Sequence, residues 1–262
     1  ANSHDTLLCF TSLGKVYWLK VYQVPRGSRG SRGRPMVNLL PLEADERVNA
    51  VLPVKDYDGE HYVFMATSHG TVKKTRLDAF SRPRSNGIRA IDLRDGDQLV
   101  DVAITDGERD IMLFASSGKA IRFHESEVRP MGRVASGVRG VRLAPTHDLI
   151  ALLIVDDAQI LTATQNGYGK RTPVSEFPTH GRGGQGVIAI QTTERNGRMV
   201  GAIEANDEDE VMLISSGGTL VRVPVAEVSV QGRNTQGVRL IRLDDGDRLV
   251  GLDSILALSD EE

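Results

Sequence analysis

"ILTATQNGYGKRTP", residues 160–173, decides how this chain folds. An apolar run, Ile160 to Ala163, meets Gln165-Asn166-Gly167 and continues into a run that carries Lys170 and Arg171. Asn-Gly between two strand-like runs predicts a hairpin. The pair suits a type I′ turn, whose two central residues both need positive φ.

Four other stretches align with this one without gaps: "LLCFTSLGKVYWLK" from Leu7, "VFMATSHGTVKKTR" from Val63, "IMLFASSGKAIRFH" from Ile111 and "VMLISSGGTLVRVP" from Val211. Their shared glycines, Gly14, Gly70, Gly118, Gly167 and Gly218, are 56, 48, 49 and 51 residues apart. A second motif follows each copy: "GRPMVNLL" from Gly33, "GIRAIDL" from Gly87, "GVRGVRL" from Gly137, "GVIAIQT" from Gly186 and "GVRLIRL" from Gly237. Its intervals of 54, 50, 49 and 51 keep the same period, and two independent landmarks with one period are not chance. A third apolar run closes each unit at 47–54, 98–105, 148–155, 198–205 and 248–255, often behind an acidic turn such as "RDGD" or "DDGD".

Each period therefore holds four short strand-like runs. "IMLFA" is apolar throughout, as in a strand covered on both faces. Four strands per period predict a radial array of small antiparallel sheets. The fold class is all-β, with five repeats of about fifty residues. One domain spans 1–262, in units of roughly 1–54, 55–105, 106–155, 156–205 and 206–255, with an acidic tail at 256–262. Two outcomes are open at the ends. They complete one blade between them, or a sixth, upstream blade is missing.

Composition narrows the function. The 262 residues are 40 % apolar and 26 % charged, with a formal net charge of −3. No apolar run reaches the 18 residues of a membrane helix. The start lacks the pattern of a signal peptide. The single cysteine, Cys9, excludes a disulfide framework and a cysteine zinc site. A cytosolic protein is the plain reading. The six histidines fall at no metal-ligand spacing. "GYGKRT" (167–172) is not a phosphate loop, because Thr164 stands where that pattern needs its first glycine. No catalytic constellation stands out. The tyrosines lie in or beside strands and read as packing residues.

Positive charge recurs at matched places despite the acidic total. Lys15, Lys73, Lys74, Lys119, Arg122, Lys170, Arg171 and Arg222 follow the hairpin glycines. Arg84, Arg89, Arg133, Arg139, Arg182, Arg233 and Arg239 surround the Gly-led runs. "PRGSRGSRGRP" (25–35) adds Arg26, Arg29, Arg32 and Arg34 in an enlarged loop of the first copy. Basic residues on strands are ordinarily just solvated, but solubility does not require matched positions. A belt of cations on a radial array would let an acidic protein grip a polyanion. Aromatics are only 5 % of the chain, which favours duplex backbone over stacked single strands. A protein-interaction propeller of the WD type is the competing class, but the only tryptophan, Trp18, is followed by Leu19. An enzyme built on a propeller is a third.

The run "ILTATQNGYGKRTPVSEFPTHGRGGQG" resembles the C-terminal domains of DNA gyrase A subunits. So do "CFTSLGKVYWLKVYQVP", "GRPMVNLLPLEADERV", "FMATSHGTVKKT" and "VQGRNTQGVRLIRL". The resemblance covers nearly the whole chain. It implies a β-pinwheel of four-stranded blades whose basic rim binds, bends and wraps duplex DNA without sequence preference, so that gyrase introduces negative supercoils. It places catalysis elsewhere in an ATP- and Mg-dependent A2B2 holoenzyme of bacterial cytoplasm, with no cofactor in this domain. The equivalent C-terminal domain of topoisomerase IV is the alternative. The family's seven-residue box, Q-R-R-G-G-K/R-G, is absent. Its nearest echo is "HGRGGQG", residues His180, Gly181, Arg182, Gly183, Gly184, Gln185 and Gly186, on a later blade. The resemblance also implies that the chain begins just after the box.

Overall fold

A computed structural model describes residues 2–26 and 35–255. The described strands, in chain order, are β1 (Thr6–Thr11), β2 (Lys15–Lys20), β3 (Val48–Val54), β4 (Tyr62–Thr67), β5 (Thr71–Arg76), β6 (Ile88–Arg89), β7 (Leu99–Thr105), β8 (Asp110–Ala115), β9 (Lys119–His124) and β10 (Val138–Arg139). They continue as β11 (Leu149–Val155), β12 (Gln159–Thr164), β13 (Tyr168–Pro173), β14 (Val187–Ile188), β15 (Met199–Ala205), β16 (Glu210–Ser215), β17 (Leu220–Pro224), β18 (Val238–Arg239) and β19 (Leu249–Ile255). Short 3-10 turns follow the hairpins, and no described helix is long and apolar enough to cross a membrane.

The strands pair antiparallel in five sheets, ordered β3-β1-β2-β6, β10-β5-β4-β7, β11-β8-β9-β14, β15-β12-β13-β18 and β17-β16-β19. They fall into two compact units. Residues 1–108 with 128–139 hold the first two sheets, and 109–127 with 140–262 hold the other three. The third strand of a period lies beside the first, so each hairpin is flanked. The Gly-led run behaves differently. It pairs with the hairpin of the preceding period, as β6 does on β2 and β18 on β13. Each period thus supplies three strands to its own sheet and a two-residue edge to the one before. In the first period the corresponding segment, Met36–Asn38, is a 3-10 turn rather than a strand. The fifth sheet has three described strands.

Burial follows the sequence pattern. Ile111 to Ala115 are all at most 2 % exposed, as a doubly covered strand requires. In the first unit Phe10 meets Phe80 edge-on at 5.8 Å between ring centroids, inside a cluster with Leu8, Val63, Met65 and Leu99. In the second, Phe114 and Phe177 do the same at 6.5 Å, within a cluster that includes Ile160 and Ile190.

The hairpin turn differs from expectation. Among the described residues only glycines have positive φ, so Asn166 does not, and the turn is not type I′. The Gly167 N–H donates to Thr164 O at 3.0 Å and Gly167 sits at φ +81°. That is a three-residue loop whose last residue takes the left-handed position. A register break recurs one residue before each turn, at Phe10/Thr11, Ala66/Thr67, Leu149/Ala151, Ala163/Thr164 and Ile214/Ser215. Such bulges sharpen strand twist.

Candidate nucleic-acid interface

The borrowed edges present the cations. In the ladder Lys15 stands opposite Arg89, Thr71 opposite Arg139, Lys119 opposite Ile188 and Tyr168 opposite Arg239. Arg89, Arg139 and Arg239 are exposed, so three of these four edges show a guanidinium at the same ladder position. Arg84, in the loop leading to β6, is exposed, and so is Arg26. Arg29, Arg32 and Arg34 lie outside the described residues. Lys119 is half-buried and donates to Gln185 Oε1 at 3.3 Å.

What seats these edges is backbone against backbone. A Cβ on Gly186 would lie 2.2 Å from Ala120 O, and one on Gly237 would lie 2.5 Å from Gly169 O. Both residues also have positive φ, so no other residue fits without strain. The glycines of "HGRGGQG" therefore serve docking. The Gly183 N–H donates to Gly140 O, and Gly184 O accepts from the Arg142 N–H. His180 and Gln185 are exposed, and the Arg182 N–H and Nε bind Glu127.

Several residues expected on the belt are not available to a ligand. Lys73 and Lys170 have no exposure, and Lys74 and Arg171 are 4 % and 5 % exposed. Lys73 Nζ donates to the carbonyls of Ala90 and Arg133, each at 2.6 Å. Lys170 Nζ donates to the carbonyls of Gly232 and Arg233 and to Thr235 Oγ1. Burial pushes both amines down to about 8, with the nearby guanidiniums of Arg133 and Arg233 acting in the same direction. The next position is also structural. Arg171 Nε donates to Val228 O at 2.7 Å, while its Nη1 pairs with Asp207. Arg122 reaches Val174 O, Phe177 O and Asp110. In the first copy the Trp18 indole N–H does the equivalent work on Phe80 O. Lys74 Nζ lies 4.8 Å from the centre of the Tyr62 ring. Matched positions here reflect a repeated structural demand, to tie the following 3-10 turn and loop to the sheet.

The remaining expected cations are partly committed. Arg222 pairs with Glu210, and Arg89 with Asp92 at 2.7 Å. Half-buried Arg133 and Arg233 are held through their own carbonyls by Lys73 and Lys170. The Arg233 guanidinium donates to Ile188 O and lies 6.0 Å from the Phe177 ring centre. The acids of the turns are structural as well. Asp97, 8 % exposed, accepts from Thr67 Oγ1, Ser68 Oγ and the His69 N–H. Asp247 accepts from Ser216 Oγ and the Gly217 and Arg248 N–H groups, which hold its carboxyl well below the usual range. Glu46 accepts from Tyr17 Oη and Thr11 Oγ1, and burial together with this carboxylate pushes the Tyr17 phenol up to about 12.

Residue-by-residue matching missed one group. Tyr168 is 6 % exposed at the start of β13. Arg239 Nη2 donates to its hydroxyl at 2.9 Å, and the guanidinium carbons of Arg195 and Arg239 lie 4.9 Å and 5.4 Å from its ring centre. A surface concavity of about 480 Å³ is lined by Tyr168, Arg195, Arg239, Leu240, Ile241 and Arg242. Two signals were available. Tyr168 occupies the ladder position of Lys15 and Lys119, and Arg242 stands five residues past the leading glycine, as Arg142 does. Among the described residues no group of His, Cys, Asp and Glu could hold a metal ion.

Comparisons with known proteins bear on this surface. A family described as "DNA gyrase C-terminal domain, beta-propeller" matches residues 5–55, 61–106, 109–156, 158–206 and 209–255. The DNA gyrase A protein of Salmonella typhimurium is 56 % identical over the whole chain, which spans 30 % of that relative. Its counterpart in Escherichia coli K12 is 54 % identical, again over 30 % of its length. That of Pseudomonas aeruginosa is 50 % identical, with 97 % of this chain and 32 % of the relative covered. Among solved structures, a C-terminal domain of DNA topoisomerase IV matches with a TM-score of 0.89 at 28 % identity, covering 97 % of this chain and 80 % of that one. A DNA gyrase A C-terminal domain matches at 0.84 and 25 %, covering 98 % and 84 %. Backbone shape alone does not separate the two enzymes; identity in sequence does.

Proposed function

The chain belongs to the DNA gyrase C-terminal domain family, and we propose that it binds duplex DNA through its phosphates and bends it. The observation that carries this reading is the exposed guanidinium at one ladder position of three borrowed edges, Arg89, Arg139 and Arg239. Phosphate contacts position a duplex without reading its sequence. Arg84, Arg26 and the arginines of 25–35 extend the same chemistry. The whole protein's work follows from the relatives' name. DNA held here is presented to the remainder of the gyrase A protein and to gyrase B in an A2B2 assembly. That assembly uses ATP and Mg for negative supercoiling in the cytoplasm.

A salt titration tests the DNA-binding step. Each phosphate neutralised contributes about −0.9 to the slope of log K against log salt. With Lys73, Lys74, Lys170 and Arg171 withdrawn from the interface, a slope of about −3 to −5 is expected. Salt-independent affinity, or strong preference for one short sequence, defeats the reading.

A further inference from the structure

Tyr168 is the centre of an unusual balance of charge. Two guanidiniums, Arg195 and Arg239, lie against one ring, with Arg239 also donating to the hydroxyl. Arg242 lines the same concavity. None of the three forms an ion pair with a carboxylate among the described residues. The nearest acids lie in the adjoining turn, where Asp244, Asp245 and Asp247 line a neighbouring concavity with Arg239 and Arg242, and Asp247 is spent on Ser216 and its turn. The two arginines together hold the phenol below its ordinary value, so the local field is positive.

The first sheet shows what a neutralised version looks like. There Arg89 occupies the ladder position of Arg239, and Asp92, five residues past its leading glycine, pairs with it at 2.7 Å. In the fourth sheet that same position is Arg242. One substitution of type turns an internally paired edge into one with an excess of positive charge. Like charges held together in a recess are costly unless an anion joins them. Planar guanidinium forks match the oxygens of a phosphate.

We propose that Tyr168, Arg195, Arg239 and Arg242 form a preorganised subsite for one phosphodiester of the duplex backbone, with the Tyr168 hydroxyl as the positioning group that sets Arg239. This rests on the DNA-binding reading above. The concavity would take the two non-bridging oxygens, and the ring would hold the guanidiniums apart at the spacing they need.

Two variants test it in the whole chain. Arg195 is exposed and Tyr168→Phe keeps the ring, so both variants should retain the parent's melting temperature. Arg195→Gln is expected to weaken duplex binding several-fold and to reduce the magnitude of the salt slope by about 0.9, one phosphate's worth. Tyr168→Phe is expected to weaken binding with the slope unchanged, since every charge remains. A second arm titrates inorganic pyrophosphate by calorimetry. If the parent binds pyrophosphate in a manner that Arg195→Gln abolishes, while the duplex slope does not change, the site serves a free anion and the proposal is overturned. A parent that binds duplex with affinity and slope untouched by Arg195→Gln also overturns it. A parent that binds no duplex at all overturns the DNA-binding reading itself, which separates the two failures.

Discussion

Lys170 brings an ammonium to a place with no exposure and finds three acceptors there, the carbonyls of Gly232 and Arg233 and the hydroxyl of Thr235. Lys73 repeats the device on Ala90 and Arg133. A buried charge is tolerated only when hydrogen-bonded, and a buried acceptor left without a donor costs about 1–3 kcal/mol. Lys170→Met should therefore lower the unfolding free energy by about 1–3 kcal/mol, read by urea denaturation, rather than act first on DNA affinity. The pH dependence has a definite sign. The unfolded chain keeps this proton up to the ordinary value of 10.5, whereas the folded one releases it at about 8. Between those values the unfolded state binds more protons, so stability contributed at this site rises with pH. The stability gap between parent and Lys170→Met should widen from pH 7.5 to 9.5. A gap that stays constant or narrows would show that the amine is not titrating in that window.

At the scale of elements, the two-residue edges β6, β10, β14 and β18 are too short to stand as strands by themselves. They exist because a glycine lets the chain come within backbone contact of the preceding hairpin. Gly186→Ala would place a methyl 2.2 Å from Ala120 O, at a φ of +71° that alanine disfavours. The expected result is release of β14 from its sheet. The Ala189 N–H, which donates to Gly118 O at 2.8 Å, should lose protection from hydrogen exchange. Amides of the β12–β13 hairpin should keep theirs. Equal protection at Ala189 in both proteins would mean that the glycine is dispensable for docking.

At the scale of the whole molecule, binding and bending are separable. A bent duplex stores elastic energy, of order 1–6 kcal/mol for 40–90° over 20–30 bp, and only contacts from several sheets offset it. DNA long enough to engage several edges should bind much more tightly than a short duplex that reaches one. Its ends should approach in an energy-transfer measurement at saturating protein. Replacing Arg84, Arg139 and Arg239 together by alanine should lower the salt slope by about 2.5–3 and restore the end-to-end distance of free DNA. A triple variant that bends DNA as well as the parent would place the interface elsewhere.

The period, the hairpins, the apolar strands and the family were all legible in one dimension. Each rests on local pattern: a glycine every fifty residues, four runs per period, and residue types repeated at fixed offsets. Arg89, Arg139 and Arg239 were legible too, because exposed edge positions recur with the period. Which sheet each Gly-led strand joins was settled in three dimensions. Pairing within a period and pairing with the one before leave the same repeat in the sequence. The same ambiguity hid the role of Lys73 and Lys170. Periodicity reports that a position has a repeated task, but a cation reaching buried carbonyls and a cation reaching phosphate look alike along the chain. It hid Tyr168 and Arg195 in the opposite way. They lie 27 residues apart in sequence and meet only because the turn before β15 folds back onto the start of β13.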